Sequence, residues 1–301
     1  MKNNIPTVSV GIPAYNEEAN IGKLIKNLLE QKQKNFRLKE IIVVSDVSSD
    51  RTDEIVKEFK NNIVKLIRNK KRLGQALNQN IMLDKYSGDI LVLLNADVLP
   101  VNNLLLYNLI KPIINDSRVG IVSGDLIPMK GRTLIENILN FSVDMKREVY
   151  EKINRKDTLL LCRGPMRAFS KEFASEFRFE KTIAEDAFSY LACKSKGYKF
   201  VYNPSAVVYF RSPNNLRDHL KQSTRFLQAS DNQQNYFSSE LVKTSYYIPK
   251  SISLEVILKY FIRNPFYFLM YLSILIYSKF ESIFGEKATT YWNIAVSSKK
   301  L

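Results

Sequence analysis

Over the first 125 residues, the apolar positions follow two patterns in turn, one typical of strands and one typical of helices. Short apolar runs, typical of buried strands, are each followed by apolar residues at helical spacing. The predicted strands are 7–12, 40–45, 63–68, 89–94 and 119–127, and the predicted helices are 17–31, 51–60, 73–86 and 101–116. Strands that alternate with helices favour an α/β fold with a doubly wound, mostly parallel sheet.

The second half of the chain mixes its elements less regularly. Strands are predicted at 158–170 and 198–210, and helices at Thr133–Asn154, 171–176, 184–196 and 215–231. Because no repeat or Gly/Ser-rich linker divides the sequence, we expect one large domain over residues 1–235, with halves of about 1–125 and 126–235. A helical tail is predicted over 236–301.

This tail differs from the rest of the chain in composition. Ser253–Arg263 has an apolar face at helical spacing, and Pro265–Tyr277 contains no charge. The uncharged run is shorter than the ~20 residues that span a bilayer. Its aromatic residues and the flanking Arg263 and Lys279 are typical of a membrane interface. We therefore expect membrane attachment, monotopic or by a single pass; a buried core helix or a homo-oligomer contact is the alternative.

The net charge and the few cysteine and histidine residues limit the possible functions of the protein. The net charge of +15 suits anionic partners, but no nucleic-acid-binding motif is present, so no nucleic acid is expected as a partner. Cys162 and Cys193 have no metal-ligand spacing and are expected to be buried in a reducing compartment. His219, the only histidine, is expected at the surface. Met1–Asn4 is polar and gives no secretory signal, so we expect a membrane-associated protein with a cytoplasmic catalytic domain.

The most informative stretch is Leu93–Val98, where an apolar run ends abruptly in Asn95, Ala96 and Asp97. Ligands of open α/β sheets bind at the carboxyl ends of strands. A hard dication bound to phosphates prefers oxygen ligands, and Asp97 is placed to supply one. Asn95 could supply another or bond a ribose. The alternative is that Asp97 caps a helix beginning near Val101.

Other predicted strands are also followed by polar motifs. Residues 13–18 read Pro-Ala-Tyr-Asn-Glu-Glu, residues 46–52 read Asp-Val-Ser-Ser-Asp-Arg-Thr, residues 185–186 read Glu-Asp, and residues 222–226 read Gln-Ser-Thr-Arg-Phe. In this order, over roughly residues 5–230, the chain resembles the inverting family 2 glycosyltransferases, which have the nucleotide-diphospho-sugar transferase (GT-A) fold. The Gln-x-x-Arg-aromatic element resembles the branch that contains cellulose, chitin and hyaluronan synthases.

The resemblance implies a donor site at the strand ends. Pro13, Ala14 and Glu17 stand where the family grips the nucleoside, and Asp46 stands where a carboxylate accepts a hydrogen bond from the pyrimidine. In residues 69–78, which resemble the family's Asn-x-Gly stretch, Gly74 would let the backbone approach the nucleotide closely. Arg72 or Lys71 would pair with a phosphate; a solvated basic loop is the alternative. The family's Asp-x-Asp appears here as Asn95-Ala96-Asp97, which implies that Asp97 binds a Mg²⁺ or Mn²⁺ ion on the donor diphosphate.

On the acceptor side, the resemblance implies that the Glu185-Asp186 pair holds the general base, with Asp186 as the candidate; capping of the next helix is the alternative. Gln222, Arg225 and Phe226 share one helix face by their spacing. Arg225 would approach the diphosphate, and Phe226, in place of the family's Trp, would offer a ring to the acceptor sugar. An ordinary amphipathic helix is the alternative for these three residues.

The sequence therefore predicts a metal-dependent enzyme at a membrane. It would transfer a sugar, with inversion, from a nucleotide-sugar, with UDP favoured, to a saccharide or lipid-linked acceptor. A polyprenyl-phosphate glycosyltransferase is the alternative, although such an enzyme needs no Gln-x-x-Arg-aromatic element. A third hypothesis, a degenerate binding module, rests only on Asn95, and the retained Asp46, Asp97 and Asp186 oppose it. The sequence does not indicate the oligomeric state.

Overall fold

A computed structural model describes residues 5–153, 156–285, 287–289, 296–299 and 301. The strands are β1 Thr7–Ala14, β2 Arg37–Ser45, β3 Val64–Arg68, β4 Ile90–Leu94, β5 Leu99–Pro100, β6 Val119–Pro128, β7 Met166–Ser170 and β8 Lys199–Phe210. The α-helices are α1 Ile21–Leu29, α2 Thr52–Glu58, α3 Gln75–Lys85, α4 Leu105–Asn115, α5 Leu134–Glu151, α6 Lys171–Ser175, α7 Glu185–Ser195, α8 Leu216–Gln233, α9 Ser239–Tyr246, α10 Lys250–Arg263 and α11 Pro265–Phe284. Short 3₁₀ turns lie at Leu159–Leu161 and Val296–Ser298.

The sheet confirms the predicted α/β class and is mixed in its second half. Its strand order is β3-β2-β1-β4-β7-β6-β8-β5. The first four strands in this order are parallel, whereas β7 is antiparallel to both of its neighbours and β5 is antiparallel to β8. The carboxyl ends of β1, β2 and β4 therefore meet at one edge, where a ligand crevice is expected.

Several element boundaries differ from the sequence prediction, and two of the differences have a local cause. The strand predicted at 158–170 begins only at Met166, because Thr158 starts a 3₁₀ turn in which its hydroxyl accepts from the Leu160 N–H. The helix predicted from residue 101 begins at Leu105 instead. The Asn102 side chain accepts a hydrogen bond from the Leu104 N–H (2.9 Å), so Asp97 does not cap this helix.

The tail helices pack against the domain. Val256 and Tyr260 of α10 and Tyr271 of α11 join one buried cluster with Ile138 and Met145 of α5. In the described ranges, no helix combines the length and the apolar character needed to cross a membrane.

One buried arginine of β7 connects α3 to α7, the helix that carries the predicted base. Arg167, in β7, is completely buried. Its guanidinium donates to the Glu185 carbonyl (2.9 Å), the Ser189 hydroxyl (2.8 Å) and the Gln79 side chain (3.0 Å). The Glu185 carboxylate lies 4.0 Å from the same group. Since a buried charge needs partners, this network fixes α7 against α3.

Glu185 should contribute to the pH dependence of stability. Burial, and then the Asp186 charge, raise the pKa of Glu185 from 4.5 to about 7, although Arg167 lowers it. Between these two values the folded chain binds a proton that the unfolded chain releases, so the free energy of unfolding falls as pH rises. We expect Glu185→Gln to flatten the fall of Tm between about pH 5 and about pH 8. Glu30→Gln, at an exposed position, is the control. An unchanged slope in Glu185→Gln, measured by thermal unfolding, would contradict this assignment.

Candidate active site

A cleft opens at the edge where β1, β2 and β4 end. It is lined by ten of the thirteen residues selected from the sequence: Pro13, Ala14, Glu17, Asp46, Arg72, Gly74, Asn95, Asp97, Gln222 and Arg225. The other three, Glu185, Asp186 and Phe226, lie outside its lining. The first eight residues come from the donor half, and Gln222 and Arg225 reach the cleft from α8.

Asp46 organises the loop between β3 and α3. Its Oδ1 accepts from the Asn69 side chain (2.9 Å) and the Leu73 N–H (2.8 Å), and its Oδ2 accepts from the Gly74 N–H (3.0 Å). Gly74 has φ 83°, a conformation that favours glycine. One buried carboxylate therefore holds the loop that forms this wall of the cleft.

Arg72 forms the outer part of this wall. Its guanidinium lies 3.7 Å from the centre of the Tyr15 ring, and its Nε is 4.0 Å from the Asp46 carboxylate. That Nε is buried and has no hydrogen-bond partner in the described part of the chain. A stacked guanidinium with an unused donor suits a planar or anionic ligand.

Asp97 and Glu17 form an acidic pair on the opposite side of the cleft. Burial raises the pKa of Asp97, while the nearby Lys299 and Arg225 charges lower it. Burial and the Asp97 charge raise the pKa of Glu17 to about 7. Asn95 beside them accepts from the Gln75 side chain (2.7 Å), which orients its amide. The pair therefore favours a cation.

A cation from the far end of the chain faces this pair. The Lys299 ammonium lies 2.5 Å from a Glu17 carboxylate oxygen and also donates to the carbonyls of Tyr15 and Asn16. Asn20 holds the same segment by donating to the Lys299 carbonyl (2.5 Å) and accepting from the Leu301 N–H (3.2 Å). No sequence pattern predicted a role for Lys299, because it lies in a polar basic stretch 282 positions from Glu17.

The predicted base lies at the start of α7, outside the lining of the cleft. Asp186 is half-buried, whereas Glu185 is buried and faces Arg167. A Cβ placed on Gly164 would lie 3.3 Å from a carboxylate oxygen of each, so this glycine leaves room beside both acids. Gln233 of α8 donates to the Thr182 hydroxyl (2.8 Å) and the Ala184 carbonyl (3.2 Å), which fixes the loop leading into α7.

Arg225 lines the cleft and is within electrostatic range of both acidic groups. Burial lowers the pKa of its guanidinium, and the charges of Glu185, Asp186 and Asp97 oppose that effect. The neighbouring Phe226 points away, with 70% of its side chain exposed. His219, expected at the surface, is half-buried, and burial followed by the Lys146 charge lowers its pKa to about 4.

Comparison with known proteins places this geometry in a family. The model of the family "Glycosyl transferase family 2" matches residues 9–178. The poly-beta-1,6-N-acetyl-D-glucosamine synthase of Staphylococcus aureus is 27% identical over 227 residues, which cover 72% of this chain and 53% of that protein. The chain thus spans about half the length of the curated relatives it matches.

Solved structures show the same fold. The mannosyltransferase PcManGT from Pyrobaculum calidifontis, in complex with GDP-Man and Mn²⁺, has a TM-score of 0.62 at 20% identity and covers 94% of this chain and 77% of that one. S. aureus TarS 1-349, in complex with UDP-GlcNAc, has a TM-score of 0.54 at 18% identity, with coverages of 85% and 72%. With its GT-A fold and a family match over more than half of its length, this chain belongs to glycosyl transferase family 2.

Proposed function

We propose that the protein transfers a sugar, with inversion at the anomeric carbon, from a UDP-sugar to a hydroxyl of a saccharide or lipid-linked acceptor at a membrane surface. The observation that carries the proposal is Arg225, which lines the cleft at the strand ends together with Asp97 and also feels the charge of Asp186. A developing diphosphate needs cations, and an attacking hydroxyl needs a base, so these two groups must face each other across the reacting sugar.

The donor half supports nucleotide binding. Tyr15 and Arg72 offer a stacked surface, and Asp46 holds the loop that contains Gly74. TarS, with the same fold, was solved with UDP-GlcNAc, and PcManGT with GDP-Man. We favour UDP because the buried Asp46 carboxylate suits the N–H of a pyrimidine.

A Mg²⁺ or Mn²⁺ ion fits the acidic pair by the chemistry of its donors. Asp97 and Glu17 offer carboxylate oxygens, and Asn95 an amide oxygen, which are the ligands these ions prefer. Among the described residues, no group of three or more His, Cys, Asp and Glu side chains could form a metal cage, so the diphosphate oxygens would complete the coordination. When bound, the ion would neutralise charge on the departing diphosphate.

The acceptor half would supply the base. Asp186 takes the proton of the acceptor hydroxyl, whose oxygen then forms the new bond to the anomeric carbon as the bond to the nucleoside diphosphate breaks. Arg225 is placed to hold the departing diphosphate. Glu185 was a candidate beside Asp186; because its carboxylate faces Arg167, we assign it the role of positioning α7.

The outer faces of α10 and α11 support membrane binding. Leu254, Leu258 and Ile262 of α10, and Phe266 and Leu269 of α11, each have more than half of their side chains exposed. So large an apolar surface is unusual for a face in water and marks an interaction site. With a net charge of +15, we propose an anionic lipid surface as the partner.

Asp97→Asn should abolish transfer and the metal-dependent part of UDP binding while the fold is retained, because the amide cannot replace the anionic ligand. Lys299→Met should act in the opposite direction and strengthen binding of UDP with Mn²⁺ by several-fold, since its ammonium competes for the acidic pair. Lys287→Met, at an exposed position, is the control. Calorimetric titration with and without Mn²⁺ measures both effects; full activity of Asp97→Asn would exclude the metal role.

Asp186→Asn should leave the affinity for the donor nearly unchanged and lower kcat by about 10²-fold or more, the usual effect of losing a positioned base. The matched control is Asp84→Asn, because Asp84 is an exposed carboxylate that pairs with Arg178 (2.9 Å) far from the cleft. Steady-state kinetics with donor and acceptor varied separately decide the role. A loss of donor affinity equal to the loss of kcat would place the base elsewhere.

Ile262→Glu with Phe266→Glu should reduce binding to anionic vesicles by about tenfold or more, because two apolar side chains no longer enter the interface. Leu134→Glu is the matched control, since Leu134 is an exposed leucine at the start of α5. Co-sedimentation with phosphatidylglycerol vesicles at low salt measures the effect. Equal binding by the double variant and the control would refute the lipid-binding face.

A further inference from the structure

A second group of cations lies on the acceptor side, outside the donor cleft. It consists of Lys146 on α5 and Arg163 in the loop before β7, and we call it the cation cluster. The Arg163 guanidinium lies on the ring of Tyr150, which follows Lys146 by one turn of α5, and the charge of Arg163 acts on Lys146. His219 of α8 is close enough to feel the Lys146 charge, but its lowered pKa leaves it neutral at pH 7. Like charges repel one another, and the arrangement therefore requires compensation.

That compensation does not come from carboxylates. The Lys146 ammonium lies 5.3 Å from the centre of the Tyr271 ring, and the Arg163 guanidinium lies 5.7 Å from that of Tyr150. The Arg163 Nε is buried without a hydrogen-bond partner, and within the described ranges neither Lys146 nor Arg163 forms an ion pair.

A neighbouring cation outside the cluster does have carboxylate partners. Arg147, adjacent to Lys146 in sequence, forms ion pairs with Asp125 (3.1 Å) and Asp144 (3.1 Å). The domain thus pairs its cations with carboxylates beside the cation cluster but not within it. Two cations that rest on aromatic rings, with an unused buried donor, suit an anion supplied from outside.

The cation cluster lies between the predicted base and the tail helices. Arg163 precedes Gly164, and a Cβ placed on Gly164 would lie 3.3 Å from the Asp186 carboxylate. Tyr271, under Lys146, belongs to α11, whose other face exposes Leu269 and Ile276. An anion in the cluster would therefore be near the reacting hydroxyl and, on its other side, near an apolar surface.

We propose that the cation cluster binds a phosphate group of the acceptor, and that the acceptor is a lipid-linked molecule whose reacting hydroxyl lies close to that phosphate. This inference rests on the proposed function and specifies its acceptor class. The glycosidic bond forms to the hydroxyl oxygen, the hydroxyl proton passes to Asp186, and the phosphate is held unchanged. A phosphate that accepts the sugar itself would need no base.

The test is a calorimetric titration of the whole protein saturated with UDP and Mg²⁺, so that the donor cleft is filled. The probes are hexyl phosphate, hexyl glucoside and inorganic phosphate. We expect hexyl phosphate to bind about tenfold or more tightly than either of the other two, as charge-assisted hydrogen bonds and a short apolar chain both contribute. Lys146→Met with Arg163→Met should lose this preference.

The matched control is Lys111→Met, because Lys111 also rests on a tyrosine ring, Tyr107 at 5.9 Å, but lies on α4. Retained binding of UDP with Mg²⁺ verifies that the double variant is folded; if it is not, Lys146→Gln and Arg163→Gln are tested singly. Equal affinity for hexyl phosphate and hexyl glucoside, or an unchanged preference in the variants, would overturn this inference alone. Inorganic phosphate binding as tightly as hexyl phosphate would overturn the lipid-linked part. If the wild type failed to bind UDP with Mg²⁺, the proposed function would fall, and this inference with it.

Discussion

The structure depends on acidic side chains held out of water at the carboxyl edge of the sheet. Burial raises the pKa values of Glu17, Asp97 and Glu185, which means that each carboxylate is costly to ionise where it stands. A fold tolerates such groups only if cations or bound ligands compensate them. The positions of Arg167 and Arg225 follow from this constraint.

The compensation differs between the two acidic groups, and the difference separates structural from chemical roles. Glu185 is opposed by Arg167, which is completely buried and hydrogen-bonded in the core, so this pair is permanent. Asp97 feels the charges of Lys299 and Arg225, which line an open cleft. A ligand can replace the second kind of partner but not the first. This is the physical reason to place substrate chemistry at Asp97 and Asp186 and a positioning role at Glu185.

Much of the fold and part of the site could be predicted because they depend on local sequence. The apolar run Ile90–Leu94 is buried throughout, and its abrupt polar end puts Asp97 in the cleft, as strand periodicity predicts. Other features depend on packing between distant segments. Phe226 follows Arg225 directly, yet the helix turns it outward, and spacing alone could not tell which side α8 would bury. Lys299 reaches the cleft only because the end of the chain returns to β1, which no local pattern encodes.

The two sides of the cleft are built on different principles, and this bears on specificity. On the donor side, Asp46 uses both carboxylate oxygens to fix backbone N–H groups, so the wall is set before a ligand arrives. On the proposed acceptor side, Arg163 and Lys146 rest on aromatic rings, and no carboxylate of the described residues forms an ion pair with either. A wall fixed by internal hydrogen bonds selects a ligand by shape, whereas cations without internal partners select it by charge. In the proposed reaction, the loop geometry around Gly74 would constrain the donor, and an anion bound by Lys146 and Arg163 would constrain the acceptor.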